Sequence, residues 1–200
     1  MNYLLIAATA KEITPFLAFY KKQETNLSID ILITGVGLTT TAYHLTKQLQ
    51  IKKYDLVIQA GVAGCFNPKI ALGTVMAVKK DTIADQSVVE LKQLKTLFDL
   101  KLLPQNQFPF KKGWLQNGNK SLIEKIKLKS ITGISVNEIT TSNQKISFYK
   151  KTFNPMLESM EGAALHFVCK METTSFIQLR SVSNYIGERN KKKMENERID

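Results

Sequence analysis

The chain has 200 residues, 44% of them hydrophobic, enough for one globular domain with a substantial core. No apolar run approaches the roughly 18 residues of a membrane span, and the start, Met1-Asn2-Tyr3, lacks the basic region and cleavage site of a signal peptide, so the expected place is the cytoplasm. The net charge of +11 raises nucleic acid as a partner, but the positive charge is nearly all scattered lysine, and arginine occurs only at Arg180, Arg189 and Arg198. With no zinc-finger or aromatic RNA-binding signature, the composition argues against nucleic acid and for an anionic small molecule. Cys65 and Cys169 lie in apolar surroundings without metal-ligand spacing and read as buried free thiols. No metal or cofactor is expected.

Residues 3–8 are a short apolar run, read as a buried parallel strand. A helix follows with Ile13, Phe16, Leu17 and Tyr20 on one face, which puts Glu12 in the first helical turn just beyond the strand. Such a carboxylate is more often a surface residue that complements the helix dipole. Residues 29–34 are the next strand. Gly35-Val36-Gly37 breaks it, and Leu38, Ala42, Leu45 and Leu49 repeat at helical spacing, with His44 in a structural place. The Gly-x-Gly lacks the third glycine of a dinucleotide turn and by itself marks only a strand-to-helix turn. Residues 55–60 are a third strand, running into a small-residue loop at 61–66 that contains Ala63 and Gly64. A strand covers 73–80. Residues 87–112 carry the weakest pattern and read as one helix and a loop. A helix over 119–128 has Ser121 as its expected cap and Leu122, Ile123 and Ile126 inward. Residues 129–136 are a strand and 142–153 a basic amphipathic helix with Ile146 and Tyr149 on its apolar side.

The most informative stretch is Glu158-Ser159-Met160-Glu161-Gly162-Ala163-Ala164, followed by Arg180-Ser181-Val182-Ser183-Asn184-Tyr185. An extended segment delivers Met160 and Glu161 to a helix start, where a carboxylate is electrostatically favoured. Gly162-Ala163-Ala164 lets that helix approach another backbone closely. His166, farther along, reads as a core histidine. Residues 174–182 read as a buried strand ending at Ser183-Asn184. A carboxylate before a helix and polar groups at the end of the next strand are where open α/β sheets bind ligands.

These motifs resemble the nucleoside phosphorylase/nucleosidase superfamily, and the run from Ser183 to Arg189 is most similar to the futalosine hydrolases. The resemblance implies an α/β fold, a three-layer α/β/α sandwich around a central mixed β-sheet, with residues 1–200 forming a single nucleosidase domain. It implies a purine nucleoside as substrate, a homodimer, and a step of menaquinone biosynthesis. It also assigns roles. Glu12 activates the hydrolytic water, Asn184 meets the purine edge, and Glu161 binds the ribose hydroxyls with Met160 beside the sugar. Ala63 and Gly64 line the purine and ribose site, and Ser183 lies next to them. Two departures stand out. Threonines occupy the place near Thr141 where adenosine-type relatives carry an aromatic residue. Residues 187–200 are polar, with Asn190 for the usual aspartate, and read as a shortened, frameshifted or truncated end.

The chemistry separates the readings further. A phosphorylase needs a phosphate site, typically with early arginines, and this chain has none before Arg180; Glu12 near C1′ would also repel phosphate while helping water. An asparagine at 184 offers an amide donor for O6 and an oxygen for protonated N7, which suits hypoxanthine, so the expected reaction is hydrolysis of futalosine to hypoxanthine and dehypoxanthinylfutalosine. The competing readings are a methylthioadenosine/adenosylhomocysteine nucleosidase, a 6-oxopurine nucleoside phosphorylase, and a non-catalytic nucleoside-binding remnant.

Overall fold

The computed structural model describes residues 1–22 and 27–187. The polar stretch after Gly187, including the Glu188-Arg189 end of the motif, lies outside the described residues. The chain runs β1 (Asn2–Ala7), α1 (Ala10–Tyr20), β2 (Ser28–Ile33), α2 (Leu38–Ile51), β3 (Leu56–Cys65), β4 (Val75–Asp81), β5 (Ser87–Glu90), β6 (Gln93–Thr96), β7 (Leu115–Gln116), α3 (Lys120–Lys125), β8 (Ser130–Ser135), α4 (Asn143–Phe153), β9 (Leu157–Ser159), α5 (Gly162–Met171) and β10 (Phe176–Tyr185).

Eight of these strands form one mixed sheet. β1 pairs in parallel with β2 and β3, and β3 in parallel with β10, while β10 runs antiparallel to β4. β4 and β8, then β8 and β9, pair in parallel, and β9 returns antiparallel to β3. β3, β10, β4, β8 and β9 therefore close a ring at one end of the sheet, and β1 and β2 extend it as an open wing. The alternation of β1 sorts its neighbours. Leu4 and Ile6 point into a core with Leu45 and Leu49 of α2 and Leu165 and Val168 of α5, whereas Leu5 and Ala7 face Ile13 and Leu17 of α1. Helices thus cover both faces of the wing, as the layered reading expects. Among the described residues, no helix is long and apolar enough to cross a membrane.

Four local expectations are corrected. The small-residue segment 61–66 is not a loop: β3 continues through Cys65, held by β10 on one side and by β9 at Gly64 and Cys65 on the other. β10 likewise continues through Asn184 to Tyr185, with a bulge between Val182 and Asn184. The helix expected within 87–112 is a β5–β6 hairpin instead, turned by Leu91 and Lys92 at φ of 49° and 60°, a left-handed pair that tight hairpins use. Asn119 rather than Ser121 caps α3, accepting from the Leu122 N–H at 3.1 Å.

Candidate active site

The site is built where β3 and β10 run side by side. At the start of α1, Glu12 reaches back so that its Oε2 accepts from the Thr9 N–H at 2.8 Å and lies 3.2 Å from the Thr9 hydroxyl. This is the carboxylate half of a capping box, the structural role such a residue often has. Its other oxygen does something more. Oε1 crosses to β3 and accepts from the Val62 N–H at 3.3 Å.

Glu161 is tied to the same strand through Arg180. As the residue before α5, it stands where a side chain normally caps the helix, yet it makes no such bond. Its Oε1 accepts from the Gly37 N–H at the start of α2 (3.3 Å), and its Oε2 from Arg180 Nη1 (3.2 Å). Arg180 is 1% exposed and projects from the middle of β10. Nη1 also donates to the Val62 carbonyl (3.3 Å) and Nη2 to Gln59 Oε1 (3.0 Å). Gly61 makes room for this convergence: a Cβ there would lie 2.6 Å from Arg180 Nη1 and 3.1 Å from Glu12 Oε1. Glu12 thus holds the Val62 N–H directly, and Glu161 is tied to the Val62 carbonyl through the Arg180 guanidinium.

The remaining predicted residues lie farther along the same strand pair. Ala63 is opposite Val182 and Gly64 is opposite Asn184. Ser183, at the bulge, donates to Asn184 Oδ1 at 2.9 Å and sits 3.4 Å from the Ala63 carbonyl. Asn184 Nδ2 donates to the Tyr185 carbonyl at 3.3 Å, and a Cβ on Gly64 would be 3.3 Å from the same nitrogen. Met160 is half-buried at the turn between β9 and α5. From Gly61 to Gly64 is three residues, about 10 Å at a strand's rise of about 3.3 Å per residue. The carboxylates are thus at one end of a short polar track and the asparagine at the other. A separate concavity lined by Ile83, Leu97, Phe98, Leu103, Phe110 and Phe153 has no ionisable side chain in its walls and offers no such chemistry.

Beneath α5 lies a second buried polar group. Asp81 is fully buried, and burial pushes its carboxyl up to about 6. His166 is also fully buried, with Nδ1 2.9 Å from the Leu115 carbonyl, and burial pulls it down to about 4, so its ring is neutral at pH 7. This is the core position expected for it.

Comparison with known proteins settles the family. The family model of the phosphorylase superfamily matches residues 6–200. The chain belongs to that superfamily. Among curated relatives, the aminodeoxyfutalosine nucleosidase of Campylobacter jejuni is 23% identical over 208 residues, covering 94% of this chain and 88% of the relative. Among solved structures, a Helicobacter pylori MTAN mutant with 5′-methylthioadenosine in its active site superposes with a TM-score of 0.79 at 20% identity, covering 98% of this chain and 90% of that one. The futalosine hydrolase of Helicobacter pylori gives 0.77 at 18% identity, with the same coverage.

For this phosphorylase-superfamily chain, sequence reasoning missed the parts that hold the two carboxylates: Arg180, Gln59 and the backbone of Gly37 and Val62. One signal was available. Arg180 is the one charged residue of the 176–182 strand, and a buried arginine requires carboxylate or carbonyl partners.

Proposed function

We propose that this chain is a purine nucleosidase that hydrolyses the N-ribosidic bond of futalosine. What carries the reading is a pair of carboxylates linked to β3, each already set on a helix N-terminus. Glu12 accepts at the start of α1 and Glu161 at the start of α2. Those two N-termini are the natural anion sites of such a fold, and both are filled by negative charge. Arg180, the one arginine among the described residues, is spent on Glu161 and two oxygens. Among the described residues, a phosphate nucleophile would meet two carboxylates and no free guanidinium, whereas water needs a carboxylate that can take its proton.

In this reading Glu12 Oε1 orients and deprotonates water at C1′. Glu161 accepts from the ribose hydroxyls, more strongly as the sugar becomes electron-poor in the transition state. Arg180 is a positioning residue that holds Glu161 aimed. Ala63 and Gly64 present backbone without side-chain bulk to the flat ring, with Met160 beside the sugar and Ser183 holding Asn184. The products are hypoxanthine and dehypoxanthinylfutalosine, a menaquinone-pathway step, and a second copy of the chain in a homodimer would complete the 5′ side. Incubation with futalosine, inosine and methylthioadenosine, with and without phosphate, tests this. Base release from futalosine in both conditions is expected; binding without release from any nucleoside would leave a non-catalytic remnant.

The Campylobacter relative, named for aminodeoxyfutalosine, and the Helicobacter structure holding methylthioadenosine favour a second reading, the same hydrolysis of a 6-amino nucleoside. Asn184 decides between them. Its amide donates to O6 and its oxygen accepts from protonated N7, while an adenine-type N6 donor would face the amide nitrogen and leave a buried polar group unpaired. That mismatch costs about 1–3 kcal/mol, roughly tenfold to more than a hundredfold. Asn184→Asp should therefore shift the ratio of kcat/KM for futalosine over aminofutalosine toward the amino substrate by at least about tenfold. An unchanged ratio would remove Asn184 from base recognition.

A further inference from the structure

The residue before a helix normally spends its side chain on the N–H groups of the first turn. Glu161 does not, and the structure shows what replaces it. The Gly162 N–H donates to Ser159 Oγ of β9 at 3.2 Å, and the Ala163 N–H donates to Ser135 Oγ of β8 at 2.8 Å. Ser135 has a single hydroxyl proton, and Asp81 Oδ1 of β4, 3.0 Å away, accepts it. With its proton committed to a carboxylate, Ser135 can only accept from α5. The Ser159 hydroxyl lies 3.4 Å from that of Ser135.

The space around Asp81 is cut to hold it. A Cβ on Gly162 would fall 2.3 Å from Asp81 Oδ2, and one on Gly133 would fall 3.3 Å from the same atom. The same Cβ would fall 2.2 Å from Gln178 Nε2, so a side chain at 162 would displace the carboxylate, the Gln178 amide or the first turn of α5. Asp81 is fully buried, and the Gln178 amide lies beside its Oδ2, both atoms being within 2.3 Å of where a Gly162 Cβ would stand.

We propose that Asp81 and Ser135 are positioning residues for Glu161: they cap α5 in its stead and so leave its carboxylate free to face Gly37 and Arg180. The inference rests on Glu161 holding the ribose, as proposed above. Without the Ser135 oxygen, the Ala163 N–H becomes the open donor that a capping side chain takes, and Glu161 stands at the position from which such a side chain reaches it. It then turns back onto the helix and leaves the sugar end of the site.

The test compares Ser135→Ala, Asp81→Ala and Asp81→Asn by kinetics on futalosine and by calorimetry with hypoxanthine, which has no ribose. Ser135→Ala and Asp81→Ala should lower kcat/KM by tenfold or more, with hypoxanthine affinity within about twofold of wild type. Asp81→Asn, whose side-chain oxygen can still accept from Ser135, should recover to within about threefold. Equal weakening of hypoxanthine and nucleoside, unchanged kinetics in Ser135→Ala, or a Ser135→Ala chain that fails to fold while Asp81→Asn folds would overturn the inference. A wild-type protein that releases base from no nucleoside overturns the functional reading instead, so the two failures are separable.

Discussion

Glu12→Gln is expected to bind substrate with nearly wild-type affinity and to lose about a hundredfold to ten-thousandfold in kcat, the usual effect of removing a positioned general base. That corresponds to about 3–5 kcal/mol of transition-state stabilisation. The substitution is well suited to the question because glutamine serves a capping box as well as glutamate does. Its side-chain oxygen can keep the 2.8 Å bond from the Thr9 N–H that anchors the start of α1. What glutamine cannot do is take a proton from water. Calorimetry and a base-release assay on one preparation separate the two functions. Turnover within a few-fold of wild type would restrict Glu12 to its structural role.

The largest effect on stability belongs to Arg180. Arg180→Met should cost about 3–5 kcal/mol, because Glu161 is then left buried without its cation. The Gln59 oxygen and the Val62 carbonyl lose a donor at the same time. For a chain of this size, that is a fall in Tm of roughly 6–20 °C. The double variant Arg180→Met/Glu161→Gln should recover most of the loss, since the orphaned charge is gone, while remaining inactive. A single variant as stable as wild type would mean that water reaches Glu161 freely and that the pair does not organise the site.

Much of this was legible in the chain. The apolar runs and their helical successors identified most of the layered fold, because buried strands and one-sided helices leave strong patterns. The motifs around Glu161 and Asn184 pointed to the superfamily that the family comparison shows. Residues 61–65 misled because small side chains look like a loop; pairing with β10 and β9 holds them extended, a tertiary effect that local pattern does not carry. The β5–β6 hairpin was hidden for a related reason. Its turn uses Leu91 and Lys92 rather than glycine or asparagine at positive φ, so the usual signal is missing. Closure of the sheet through β10 depends on which distant strands meet. The meeting of Glu12 and Arg180 at Val62, with Glu161 on the guanidinium, depends on the same long-range pairing, and the spacing of these residues in the chain does not encode it.

The central claim is that water, not phosphate, attacks C1′. It is tested most directly by running the reaction in ¹⁸O-labelled water and weighing the sugar product. The account predicts free hypoxanthine and a free sugar carrying one solvent oxygen at C1′, formed at the same rate with and without phosphate. A sugar 1-phosphate, or base release that requires phosphate, would contradict it.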